Sequence, residues 1–201
     1  MVNFRNLDLG YDQSKDLYDA IQVEGERLLS DLNTVYNGLN NHWKGEDATL
    51  HINQITDVYN GVNEFVKDTG NTIVLATKKI VEVQQVRKAN GSSGNVGAEL
   101  SEVPERESLS KIEGTSEYSC VPEAKEDLQM LIQVCGEFDT FSNNVKERTA
   151  ELMENWLDGN ERSKVVSNAQ DFETVSGEFK RYLSETRDAL DTAVANLSQI
   201  M

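Results

Sequence analysis

Four runs of apolar residues, spaced in steps of three and four, dominate this 201-residue chain. The first holds Tyr18, Ile21, Gly25, Leu28, Leu32, Val35 and Leu39, and the second Ile52, Ile55, Tyr59, Val62, Val66, Thr69, Ile73, Ala76, Ile80 and Val83. The third holds Ala124, Leu128, Leu131, Cys135, Phe138, Ser142, Val145, Thr149, Leu152 and Trp156. The fourth holds Val165, Ala169, Phe172, Ser176, Phe179, Leu183, Thr186, Leu190, Ala193, Leu197 and Ile200. A repeat kept this long lays its apolar side chains along one stripe of a helix, and that stripe needs a second helix packed at a shallow angle. Two-residue alternation occurs nowhere over a comparable length. The Val/Ile/Thr-rich stretch from Thr72 to Val86 continues the helical register, so it too is predicted helical. Only two prolines are present in the whole chain, as long helices require, because an interior Pro removes a hydrogen bond and crowds the preceding turn.

The breaks between runs carry matching residues. Trp43-Lys44-Gly45 separates the first from the second, and Trp156-Leu157-Asp158-Gly159 separates the third from the fourth. At a reversal the helix cylinders part; a large flat side chain fills the gap and its N–H can find a partner at the wet end. Glycine allows a positive φ or a close approach. Trp43, Gly45, Trp156 and Gly159 are therefore read as hairpin-turn residues. Local signals agree: Asp12 or Ser14 can cap the first helix. Asn40-Asn41-His42 are poor helix formers that end it, and Glu46 and Asp47 place charge at the positive end of the second. Pro122 fits the first turn of the third, and Asp158 to Glu161 supply a bend, a cap and an acidic turn for the fourth. The predicted organisation is a helical hairpin over 1–90, a flexible acidic linker over 91–121 and a second hairpin over 122–201. The acidic middle of the linker, Leu100 to Ile112, is a candidate for a short fraying helix. A helix of about 40 residues is about 60 Å long. Some 30 extended residues reach about 100 Å, so the linker can return the chain to the far end. The fold expected is all-α, with four helices in an elongated antiparallel four-helix bundle.

Composition excludes several functions. The formal net charge is −16, from 35 acidic against 19 basic residues. The attraction that binds nucleic acid or anionic membranes is missing. No run of 18 apolar residues exists, so no membrane insertion is expected, and the start, Met1 to Asp8, lacks the apolar core of a cleavable signal peptide. Cys120 lies in the polar linker and Cys135 on an apolar stripe; one exposed and one buried reduced thiol are expected. His42 and His51, the only histidines, are nine residues apart rather than four, which does not place both on one helical turn to hold a metal. His42 has Glu46 and Asp47 nearby in sequence, and solvated side chains are expected there. No phosphate-binding glycine loop, Gly-x-Ser-x-Gly or Cys-x-x-Cys occurs. No catalytic, cofactor-binding or metal residues are assigned, and a non-enzymatic protein is expected.

The first unit, about 90 residues of helix, Trp-x-Gly elbow and helix, resembles the Trp-x-Gly (WXG) family of small proteins exported by type VII secretion systems, the early-secreted-antigen type. Residues 43–45 match its motif, and 156–159 resemble a copy with one residue inserted. Members of that family pair as antiparallel hairpin dimers. The resemblance therefore implies a pseudo-dimer in one chain, monomeric or homodimeric, acting as an exported substrate or as an adaptor for a larger helical effector or secretion-system component. It also implies export without a signal peptide from a cytoplasmic pool. The Tyr-x-x-x-Asp/Glu export signal of actinobacterial members is absent: Tyr11, Tyr18, Tyr36, Tyr59, Tyr118 and Tyr182 are followed four residues on by Lys15, Gln22, Asn40, Asn63, Pro122 and Thr186. The last register runs to Ile200, leaving no tail for an export ATPase, so a firmicute-type system or a partner carrying the signal is implied. Phe4-x-x-x-Asp8 resembles a motif of helical toxin adaptors, at the opposite end of the chain from theirs. Partner contact is expected through apolar residues off the main registers: Val74, Val81, Leu157, Val166, Val175 and Tyr182. The alternative is a cytoplasmic coiled-coil scaffold with no export role.

Overall fold

The computed structural model describes the backbone of residues 3–200 and the side chains of 3–197. It is an all-α four-helix bundle built from two long hairpins. The first rod is α1 (Leu7–Ala20), one wide π turn (Ile21–Gly25) and α2 (Glu26–His42). The others are α3 (Glu46–Ala89), α4 (Ala124–Asn155) and α5 (Asn160–Ile200). Four short bridging segments, β1 (Asn3–Phe4), β2 (Trp43–Lys44), β3 (Ser119–Cys120) and β4 (Trp156–Asp158), pair antiparallel as β1 with β4 and β2 with β3.

The heptad stripes are the core. In the first register every residue from Tyr18 to Leu39 is buried. In the second, all are buried except Val83, which is 43% exposed. Leu128, Cys135, Ser142, Ala169 and Leu197 are half-buried on their stripes, and the Ile200 side chain lies outside the described residues. Thr56 and Thr186 sit in the core by donating to the carbonyl four residues back, of Ile52 and Tyr182, whereas the buried hydroxyls of Thr69 and Thr149 on the stripes have no partner among the described residues.

The chain divides into two compact units, and each draws on both hairpins. One comprises 1–25, 64–105 and 141–173; the other comprises 26–63, 106–140 and 174–201. The second unit joins the elbow end of the first hairpin to the open end of the second. That sets the hairpins antiparallel. The core of the first unit centres on Phe65, Phe141 and Phe172, with Phe65 stacked on Phe172 (4.2 Å) and edge-on to Phe141 (6.2 Å). Gly25 closes the π turn against it; a Cβ there would lie 2.7 Å from Val66 Cγ2. The core of the second unit includes Leu28, Leu32, Ile52, Leu131, Phe138, Phe179 and Leu190.

Three expectations are corrected. The first helix is capped by neither Asp12 nor Ser14. Asn6 caps it, its side chain accepting from the N–H groups of Asp8 and Leu9, and Ser14 is fully buried within the rod. Leu100 to Ile112 forms no helix. Both cysteines are half-buried free thiols, and burial raises the pKa of each.

Candidate functional site: two matched elbows

The two turns are constructed alike. At the first, α2 stops at His42, and Trp43 and Lys44 pair with Cys120 and Ser119. Gly45 follows at φ 124, and α3 begins. At the second, α4 stops at Asn155, β4 pairs with Asn3 and Phe4, Gly159 sits at φ 132 and α5 begins. Such a φ strains any residue with a side chain, so glycine has a local cause at both places. The hydrogen bonds correspond as well. Val121 N–H donates to the His42 carbonyl and Arg5 N–H to the Asn155 carbonyl, both at 3.0 Å. The N–H and hydroxyl of Thr49 donate to the Gly45 carbonyl, and those of Ser163 to the Gly159 carbonyl. The inserted residue of the second elbow is absorbed as an irregularity in the β1–β4 register.

In each elbow the segment leading into one hairpin clamps the turn of the other. Phe4 stacks on Trp156 (5.0 Å, 22°), and Asn155 and Asn6 exchange two hydrogen bonds at 2.9 and 3.0 Å. Asp8 accepts from Gln84. The Phe4-x-x-x-Asp8 pair is thus engaged within its own unit. At the first elbow His42 Nδ1 donates to Asp127 Oδ2 at 2.8 Å, close beneath Gly38, where a side chain would collide with that carboxylate. Burial pushes the Asp127 pKa up, and His42 opposes it. Trp43 stacks on His51 (5.7 Å, 13°). His51 Nδ1 lies 2.9 Å from Gln54 Oε1 and 3.3 Å from the hydroxyl of Thr186, which donates to the Tyr182 carbonyl.

Trp43 and Trp156 are 2% and 0% exposed, and among the described residues neither indole N–H has a hydrogen-bond partner. The turn encloses the ring completely instead of leaving its edge wet. A cleft of about 300 Å³ opens at the first elbow, lined among others by Trp43, Lys44, Thr49, Ile112 and Glu113. Among the described residues no group of three or more His, Cys, Asp or Glu could hold a metal. Nor, among them, is any helix long and apolar enough to cross a membrane.

Of the residues expected at a partner surface, Leu157 is exposed at 44%, and Val74, Val166, Val175 and Tyr182 are half-buried. Val81 is corrected: at 2% exposure it belongs to the core, because the stripe of α3 widens there to take in Val81 beside Ile80. Leu75 (55%), Val83 and Val86 (61%) were missed as surface residues and lie on the C-terminal half of α3. Leu75 and Val86 are eleven residues apart, which is three turns and therefore one face.

Sequence reading also missed the role of the linker. In the first unit Tyr11 and Tyr18 donate to the carbonyls of Ala98 and Ser101, and Asn71 Oδ1 accepts from Val103 N–H. In the second, Asn60 both accepts from and donates to the Leu109 peptide, and Asn53 does the same with Ile112. The side chains turned inward are Leu100, Val103, Arg106, Leu109 and Ile112, one in three. That period, which is the repeat of polyproline II, was the available signal.

No protein-family model, no curated protein and no solved structure matches this chain.

Proposed function

We propose that this chain is a non-enzymatic helical binding protein of type VII secretion, a WXG-like pseudo-dimer exported with, or serving as adaptor to, a larger partner. The observation that carries the reading is the matched construction of the two elbows. Each has Trp, a positive-φ glycine and a clamp from the other hairpin's entry segment. A duplicated hairpin held antiparallel to its copy does within one chain what members of the family it resembles do as dimers. Its acidic charge disfavours nucleic acid and anionic membranes as ligands. Recognition is by helix faces, and the open apolar positions Leu75, Val86 and Leu157 are the first to examine.

The test uses the full chain in a host carrying a type VII system. The expected result is a pool in the culture supernatant that disappears when the secretion ATPase is deleted, and a helical partner that co-purifies with the wild type but not with a Leu75→Asp/Val86→Asp variant. A purely cytosolic chain with no such partner would overturn the reading in favour of the scaffold alternative.

A further inference from the structure

The dipeptide Asn-Gly occurs three times in the chain, at 37–38, 60–61 and 90–91. Its intrinsic chemistry is the same each time. The peptide nitrogen of the glycine can attack the asparagine Cγ, and with no side chain on glycine nothing shields that nitrogen. Folding decides whether the attack takes place. Asn37-Gly38 lies inside α2 and Asn60-Gly61 inside α3. There the glycine N–H is committed to the helix, and the backbone cannot swing the nitrogen toward Cγ without breaking it. Both side chains are engaged as well. Asn37 Nδ2 donates to the Asn33 carbonyl at 2.9 Å, and Asn60 is paired both ways with the Leu109 peptide. Both glycines are closely covered: a Cβ would run into the Asp127 carboxylate at Gly38 and into the Phe179 ring at Gly61.

Asn90-Gly91 differs on each count. α3 ends at Ala89, and both residues are exposed. Among the described residues no hydrogen bond holds the Asn90 side chain. Gly91 has φ 81, and a Cβ there would meet nothing within 4 Å. Its N–H donates to the Lys88 carbonyl at 3.1 Å, and Ser92 N–H donates to that of Arg87 at 3.0 Å. These two bonds cap α3, and they sit at an exposed helix end, where opening costs least. Arg87 and Lys88 line a cleft of about 210 Å³ at this turn, with Asp8, Gln84 and Ser92. Their two positive charges outweigh Asp8 and favour both a deprotonated attacking nitrogen and an anionic product.

We propose that Asn90 is a self-modification site, converted in the folded chain to aspartate and isoaspartate with water as co-reactant. The Gly91 nitrogen gives its proton to solvent base and bonds to Asn90 Cγ. The Cγ–Nδ2 bond breaks, and Nδ2 leaves as ammonia with a proton from water. Water then opens the five-membered imide. Cleavage between nitrogen and Cγ yields aspartate on the normal backbone. Cleavage between nitrogen and the Asn90 carbonyl carbon yields isoaspartate, with the main chain running through Cβ and Cγ. Either product adds a negative charge at the negative end of α3. The isoaspartyl form also lengthens the backbone by one carbon inside the cap, which frees the last turn of α3 and the start of the linker. This inference is independent of the secretion reading, since it needs only solvent.

The test incubates the folded, full-length wild type in mildly alkaline buffer. Peptide mapping by mass spectrometry follows amide-to-acid conversion, and enzymatic methyl transfer reads isoaspartate. The expected result is conversion at Asn90 at least ten-fold faster than at Asn37 or Asn60, with comparable rates at all three in urea. Gly91→Ala should slow conversion at Asn90 several-fold. In the isoaspartyl chain, separated by anion exchange, hydrogen exchange should quicken at Gly91 and Ser92 and stay unchanged in the middle of α3. Asn90 as slow as Asn37 and Asn60 in the folded chain, while all three react in urea, overturns the proposal. Equal conversion of the three in the folded chain does the same, and unchanged exchange at Gly91 and Ser92 refutes the loss of the cap.

Discussion

Replacing Gly61 by alanine should lower stability, whereas the same change at Gly136 or Gly177 should raise it. All three lie in helix interiors of the second unit, where alanine is favoured over glycine by about 1 kcal/mol. Their surroundings differ. A Cβ at Gly136 or Gly177 meets nothing within 4 Å, and at Gly61 it lies 2.5 Å from Phe179 Cζ and 2.9 Å from Cε2. Phe179 cannot move freely, being 8% exposed and edge-on to the fully buried Phe138 at 6.1 Å. Forcing a methyl into such a core costs about 1–3 kcal/mol. Net of the helix gain, Gly61→Ala loses about 0–2 kcal/mol, while Gly136→Ala and Gly177→Ala each gain about 0.5–1 kcal/mol. At about 2–4 °C per kcal/mol for a chain of this size, the variants should separate by several degrees in thermal unfolding. A double-mutant cycle with Phe179→Leu adds the decisive arm, because the smaller side chain should restore room for the added methyl of Gly61→Ala and reveal coupling. If Gly61→Ala raised the melting temperature as Gly136→Ala does, or showed no coupling to residue 179, α3 and α5 would not touch where this packing places them.

Trp43→Phe should cost no more than about 1 kcal/mol, since lost area is offset by removal of an unpartnered buried N–H, measured by urea unfolding. In that background Phe4→Ala should shift Trp156 emission to the red and cost about 1–2 kcal/mol. That is less than the usual 3–5 for a core phenylalanine, because the short entry segment can detach and recover its entropy; unchanged emission would contradict the clamp. Burial raises the Asp31 pKa and the neighbouring Glu137 raises it further, so its ionised form penalises the folded state at neutral pH. Asp31→Asn should therefore stabilise by less than about 1 kcal/mol at pH 7, with the gain vanishing below about pH 4, where the carboxyl is protonated in both states. Leu157→Asp should change stability by less than about 0.5 kcal/mol, as expected of an exposed residue, and report only on partner capture in a pull-down.

The rods and elbows were legible because their signals are local and repeated. A 3-4 register and a Trp–Gly break need no knowledge of what lies across the bundle. The start of the first helix is misread when Ser14 is weighed as a cap, although Leu7, Tyr11, Ser14 and Tyr18 continue the steps of four and three backwards. Once Asn6 supplies the cap, Ser14 is simply a small residue on the stripe. Val81 and Val83 exchange places relative to expectation because α3, at 44 residues, outruns a strict seven-residue repeat, and an unsupercoiled helix drifts off it. The linker was opaque for a different reason. Its order comes from asparagines on a distant part of the chain, and its own period of three matches neither helix nor strand.

Recognition through peptide groups has an evolutionary corollary. Between the anchor points the linker is free to change almost any side chain without losing its seat, so its sequence can drift quickly while its path is preserved. Among the forbidden changes is proline at 97, 103, 109, 112 or 121, where the N–H is spoken for. The proline that does occur, at 104, falls one residue beyond such a donor.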